Sequence, residues 1–437
     1  MNKRELIKLK KGNARLYPIY KMFSWDLLFY YAISFVFLTS TKGFSIAQVM
    51  LTDALVPVFK IILNIPSMTI IDKIGKRNSL VLANFILALS LIALIYCNGL
   101  LTLILAYIIM AFAFSIKSIA ESDLLYESVS HRKGKSIFSK IEEIGARNYY
   151  FLDGITSMAT GFLFVVNGYL PMLVSLMFVV VSIALSTCFK EVTKKKTNEG
   201  ENLIQRFKNY KDEVSTAFKF IFKSHRLQAI MMFTLFFDGL IYSSYTLRES
   251  MLTNLNVPPQ FFAIIISGLT IVSGIFAFLQ QTIHNKFRNR ALTFLVSVYV
   301  PTFVIIGLVS LLNVNWVIKI AIILAMYMVQ YAMQAPYHTL SSRYIKNFTT
   351  SEIRTKISSS FDLIKSISQI LVALFASYLL TITTVENNFI ILGIMFLIIM
   401  FVVLMIMKSR VGLKPEEYRK EDIKFKVKKE GKKWKEF

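Results

Sequence analysis

Runs of about twenty mostly apolar residues, the length at which an α-helix crosses a hydrocarbon core, recur along almost the whole chain. No other sequence feature limits the fold as tightly. They fall at 17–40, 46–71, 79–97, 100–128, 145–166, 169–189, 227–247, 259–283, 291–312, 316–340, 357–381 and 388–407, which predicts 12 transmembrane helices. Of the residues, 55% are hydrophobic and only 17% charged, against about 25% charged in soluble domains. An all-α membrane protein is expected, not a string of soluble domains. Cys97-Asn98-Gly99 and Asn167-Gly168 leave so little chain between spans that the flanking helices must form antiparallel hairpins. The basic first 21 residues run directly into a full-length span, which is not the form of a cleavable signal peptide.

Orientation follows from the cations. Of 50 Lys+Arg, 44 fall in segments on one side of the predicted bundle. Lys42, Lys60, Lys117, Arg248, Lys319 and Lys365 lie on the other side or inside spans. The positive-inside rule then puts both termini in the cytoplasm. The net charge of +24 therefore reports topology, and no nucleic-acid partner is implied. Cys97 and Cys188 end on opposite faces and cannot bridge each other.

The longest polar segment divides the chain. It separates an N-terminal six-helix bundle (1–189) from a C-terminal one (227–407), with a linker at 190–226 and a basic tail at 408–437. Within the linker, Leu203, Phe207, Tyr210, Val214, Phe218 and Ile221 recur at helical spacing among lysines, predicting an amphipathic interfacial helix. The tail is expected to touch anionic lipid.

The halves also repeat. Asp26-Leu27-Leu28-Phe29-Tyr30 in span 1 and Asp238-Gly239-Leu240-Ile241-Tyr242 in span 7 share the pattern Asp-x-Leu-x-Tyr at an offset of 212. The same offset relates Gln48 to Gln260, and the loop 72–77 to 284–289. Parallel six-span repeats build one large class of secondary transporters.

Loop 2–3 carries the most specific motif, Asp72-Lys73-Ile74-Gly75-Lys76-Arg77. It resembles the signature of the major facilitator superfamily, Gly-x-x-x-Asp-Arg/Lys-x-Gly-Arg/Lys-Arg/Lys, with Met68 at the leading glycine position. The resemblance implies two pseudo-symmetric halves that rock about a midplane site. It also implies a conformational latch in which Asp72 caps helices and pairs with basic residues, alongside Lys73, Gly75, Lys76 and Arg77. Span 4, Ser118-Ile119-Ala120-Glu121-Ser122-Asp123-Leu124-Leu125-Tyr126-Glu127-Ser128, is similar to a stretch of efflux-like bacterial facilitators. The antiporter motif of span 5 is absent; Asp153-Gly154 to Gly161 keeps small residues without a proline.

An ionised group near the bilayer centre costs at least ~2.5–3.5 kcal/mol, so each intramembrane charge needs a partner, water or a task. Asp26 lies ~12 Å into span 1 at 1.5 Å per residue. Lys117 and Glu121 share one face of span 4, within about 40° of each other, while Asp123 and Glu127 point elsewhere. Lys60, Asp123, Asp153, Asp362 and Lys365 are further intramembrane charges, fixed pairs or functional groups, and Asp53 and Glu127 are expected to be solvated near the interfaces. In the facilitator fold, spans 1, 4, 7 and 10 line the central cavity. The resemblance thus makes Asp26, Glu121 and Asp238 candidate proton carriers, with Tyr30, Lys117, Tyr242, Tyr327, Gln330, Tyr331 and Gln334 as cavity neighbours.

No enzyme constellation is present. The four histidines have no metal-ligand spacing, and Gly134-Lys135-Ser136 lacks the leading glycine of a phosphate loop. The expected protein is a monomeric, cofactor-free transporter of the bacterial cytoplasmic membrane, driven by an ion gradient, with protons preferred. Export of a small amphipathic or cationic solute is the first expectation. Uptake of a sugar, peptide or organic acid is the second, and a lipid flippase or membrane receptor on the same fold the third.

Overall fold

The computed structural model describes residues 3–129, 134–192, 203–278, 280–287, 290–349, 354–411, 426–429 and 432–436. The start of the linker (193–202), the tail at 412–425 and positions 288–289 of the repeated loop lie outside them.

The order of helices is α1 Lys3–Ser24, α2 Ser34–Val36, α3 Ile46–Ile74, α4 Lys76–Tyr96, α5 Leu100–Ser128, α6 Gly134–Val166 and α7 Leu170–Thr187. The linker holds helix α8, Leu203–Lys223, in which Ala217, Phe220 and Ile221 are buried. The second half contributes α9 His225–Asn254, α10 Pro259–Phe278, α11 Gln280–Phe287, α12 Ala291–Tyr299, α13 Pro301–Leu311, α14 Trp316–Asn347, α15 Arg354–Ile382 and α16 Val385–Val411. In the tail, Lys426–Lys429 and Lys432–Glu436 form a short antiparallel pair, a small exception to the all-α expectation.

Local signals explain the boundaries. Ser45 and Gln48 form a capping box at the start of α3, each side chain accepting the other's backbone N–H. Ser224 caps α9 and Asn315 caps α14. Pro301 lacks the N–H needed to continue α12 and opens α13 instead, so span 9 is divided.

Among the described residues, eleven helical stretches, with α12 and α13 taken together as one, are long and apolar enough to cross a membrane. The span expected at 17–40 is the exception, because it is not one helix. It unwinds over Trp25–Ile33 and resumes as α2 and a π-turn, Phe37–Thr41. Phe29 in the break has φ +64°, a left-handed conformation rare for a bulky residue. Asp26 and Tyr30 sit on this irregular segment rather than on a helical face.

By packing, the chain divides into Met1–Phe207 with Asn256–Ser267, and Lys208–Leu255 with Gly268–Phe437. In the first unit α1 packs on α6, α4 on α7, and α4 on α5; in the second α9 packs on α15, α13 on α16, and α12 and α13 on α14. Span for span these are the same neighbours, the structural counterpart of the repeat. In lipid, helices associate through close packing and not through water exclusion. Small polar residues accordingly fill the seams, Ser79 and Ser90 of α4 and Ser182 and Ser186 of α7 being buried. At Gly239 a Cβ would lie 2.5 Å from Ser368 Oγ, so α15 can approach α9 beside Asp238 only at glycine.

Candidate functional site

Within the first unit, a cavity of about 370 Å³ is lined by residues including Trp25, Asp26, Tyr31, Lys60 and Asn64. Asp26 owes its place here to the helix break. One carboxylate oxygen accepts the Leu27 N–H at 3.0 Å, and the Tyr31 hydroxyl is a second partner. Lys60 and Lys117 are the cations whose fields reach it. Tyr30, expected beside Asp26, instead donates from its hydroxyl to that of Tyr107 at 3.2 Å, away from this lining. Tyr31 takes its place.

Lys117 and Glu121 are both buried and one turn apart, but they do not satisfy each other. Glu121 forms its ion pair with Lys21 of α1 and accepts from Ser24 Oγ at 3.3 Å. The Lys21 ammonium also lies 4.4 Å from the Trp25 ring centroid. Lys117 Nζ has no hydrogen-bond partner among the described residues and lies 5.4 Å from the Phe114 ring. Spacing on one helix therefore does not select the partner here, because α1 brings a better-placed lysine to the carboxylate. Asp153 is half-buried, next to Tyr149, and its contact with Ser157 Oγ is a long 3.4 Å.

The latch motif is assembled differently from the expectation. Gly75 separates α3 from α4 with φ +87°, a conformation that suits glycine. The carboxylate capping α4 is Glu191, just after α7, which accepts from the backbone N–H of Lys76 at 3.1 Å and of Arg77 at 2.9 Å. Anionic caps at helix N-termini are favoured by the orphan N–H groups and the dipole. Lys76 pairs with Glu127, so that residue is half-buried and paired, not simply solvated. Arg77 donates to the Thr187 carbonyl at 2.8 Å. Asp72 and Lys73 are exposed on the last turn of α3, and Asp123 is exposed on α5.

In the second unit Asp238 is buried in α9 and accepts from the Tyr337 hydroxyl at 2.5 Å. His338 Nδ1 lies 4.0 Å from its other oxygen. Lys365 of α15 contributes a field at this carboxylate, whereas Asp362 and Lys365 form no ion pair among the described residues. Tyr242 is half-buried one turn along α9. On α14, Gln330 donates to Thr302 Oγ1 at 2.8 Å, Gln334 donates to the Tyr245 hydroxyl, and Tyr327 is fully buried. Tyr331 lies over Arg248, 4.8 Å from its guanidinium carbon.

Four residues that matter in this arrangement are not among the sequence candidates: Lys21, Glu191, Tyr337 and Arg248. Arg248 alone carried a usable signal, since it is a cation at the end of an apolar run, away from the side that holds most of the Lys and Arg. Among the described residues no group of three His, Cys, Asp or Glu is placed to hold a metal ion.

Comparison with known proteins bears on the whole chain. No curated protein sequence matches it. Solved structures do. The bacterial homologue of the human lysosomal transporter Spinster superposes with TM-score 0.67 at 11% identity, over 95% of this chain and 100% of that one. The D-xylose-proton symporter gives TM-score 0.66 at 12% identity, over 94% and 100%. The nucleoside transporter NupG gives 0.65 at 12%, over 92% and 99%. At these identities the likeness is one of fold. The family model of the Major Facilitator Superfamily matches residues 21–329 and 250–437. The architecture, the repeat and this match agree: the chain is a transporter of the major facilitator superfamily and not an enzyme.

Proposed function

We propose that this chain moves a small solute across a bacterial cytoplasmic membrane by alternating access, coupled to protons, with both termini cytoplasmic and no cofactor. The observation that carries the proposal is Asp26. It sits on the unwound part of span 1, in a cavity, under the fields of Lys60 and Lys117 but without a fixed ion pair among the described residues. A carboxylate so placed can gain and lose a proton as access changes, whereas one held in a permanent pair cannot do so without breaking it. Glu121, tied to Lys21 and Ser24, is on this reading a structural acid. Asp238, with Tyr337 and His338 against it, is the matching carrier of the second unit.

Export is the direction we attach to the proposal, from the efflux-like stretch of span 4. Uptake of an anionic or zwitterionic nutrient is the second reading, favoured by the cationic Lys60 in the cavity wall. The test is proton flux in liposomes holding purified protein, challenged with lipophilic cations, sugars, peptides and organic acids. One class should evoke flux that Asp26→Asn abolishes and Glu121→Gln does not, and its direction separates export from uptake. Silence from folded protein across all four classes sinks the proton-coupled reading and favours the lipid or receptor alternative.

A further inference from the structure

Arg248 has no role in the scheme above. It lies on α9 about 15 Å beyond Asp238 and is only 3% exposed. Tyr331 and Tyr245 lie 4.8 Å and 5.3 Å from its guanidinium carbon. It forms no ion pair among the described residues, and its Nε has no hydrogen-bond partner. Glu249 contributes a field at the guanidinium, but it follows Arg248 directly and projects about 100° away round the helix.

Ring faces favour a cation, yet they leave the N–H groups in the guanidinium plane unsatisfied. On the neighbouring helix α14, Tyr327 Oη and Gln330 Oε1 are also buried without a hydrogen-bond partner. Gln330 is held by Thr302, and Tyr245 by Gln334, so the surroundings are fixed. A buried arginine whose Nε has no partner, within electrostatic reach of a tyrosine hydroxyl that likewise has none, is what a planar anion would complete. A carboxylate accepts two parallel N–H bonds from the fork and a third bond from Tyr327.

We propose that Arg248 and Tyr327 form an anion-binding site within the second unit, and that the solute carries a carboxylate there. The inference rests on the transport reading for its purpose, but the site itself stands or falls separately. It replaces a purely cationic solute with an acid or zwitterion.

The experiment measures binding to purified full-length protein in detergent, by calorimetry, with three probes. These are N-acetylphenylalanine, its neutral amide and phenyl phosphate. The acid is expected to bind at least about tenfold tighter than the amide, since only the acid can pair with a desolvated charge. Arg248→Gln should weaken the acid by roughly 30-fold or more, and Arg248→Lys should fall between, keeping charge but losing the fork. Should Arg248→Gln not fold, Tyr327→Phe keeps the charge and the ring, and is expected to weaken the acid about threefold to tenfold while sparing the amide. Phenyl phosphate supports the site either way. Arg248-dependent binding widens the class to phosphate monoesters, and its failure to bind narrows the class to carboxylates. Equal binding of acid and amide, no binding of the acid, or acid binding indifferent to both substitutions overturns the proposal. Acid binding that depends on Arg248, from protein in which no solute evokes proton flux, would sink the proton-coupled reading and leave the anion site standing.

Discussion

Two lysines flank Glu121, and replacing them should have opposite effects on stability. The Glu121 side chain is 3% exposed and that of Lys21 13%, so this pair is almost wholly withdrawn from water. Lys21→Met leaves a buried carboxylate with Ser24 Oγ at 3.3 Å and the Tyr20 hydroxyl as its side-chain donors. Breaking one side of a buried pair costs about 3–5 kcal/mol. The lower end is expected here, because Lys117 is one turn from Glu121 and its ammonium is unengaged. Lys117→Met removes a buried cation that nothing hydrogen-bonds, and methionine fills much the same volume. That change should be neutral or stabilising by about 1 kcal/mol. Stepwise heating of detergent-solubilised protein, followed by size-exclusion chromatography, ranks the variants. Lys21→Met should melt well below wild type, Lys117→Met at or above it, and Lys21→Met/Glu121→Gln should recover about half the loss. Equal destabilisation by the two lysine substitutions, or strictly additive effects in the double variant, would refute the assigned pairing.

Other expectations follow from the same geometry. Gly75→Ala forces a left-handed φ on a Cβ that would lie 3.1 Å from Glu191 Oε2, and should cost about 1 kcal/mol or more in the same heating assay. Glu191→Gln keeps the shape of the α4 cap but loses its charge, and should cost about 1 kcal/mol. Tyr337→Phe strips the hydroxyl from buried Asp238 and should cost about 1–3 kcal/mol while also impairing solute-evoked proton flux. Asn13→Ala loses hydrogen bonds to Lys190 and Ser128 that tie α1 to the chain after α7 and to the end of α5. It should expose the α1 backbone to faster hydrogen exchange.

The architecture was legible because lipid imposes it. A backbone crossing hydrocarbon must satisfy itself, so apolar length alone marks the helices. The Ser45–Gln48 capping box and the amphipathic α8 could likewise be read from spacing. The break in span 1 could not. Trp25–Ile33 contains neither proline nor glycine, while Pro18, Pro57 and Pro66 lie inside continuous helices. Tertiary packing decides both, since neighbouring helices can re-satisfy a freed carbonyl or stabilise an irregular segment. Partner choice was hidden for a related reason. Spacing shows only neighbours on one helix, such as Lys117 and Glu121, whereas Lys21 and Glu191 reach their partners from spans distant in sequence.

Asp26 as the carrier of the coupled proton is tested by comparing two modes of transport in the same Asp26→Asn liposomes, using whichever solute evokes proton flux in wild type. Solute-for-solute exchange needs no net proton movement, and transport driven by a pH gradient does. Asp26→Asn should retain exchange and lose gradient-driven transport. Gradient-driven transport that survives the substitution would show that the proton travels elsewhere.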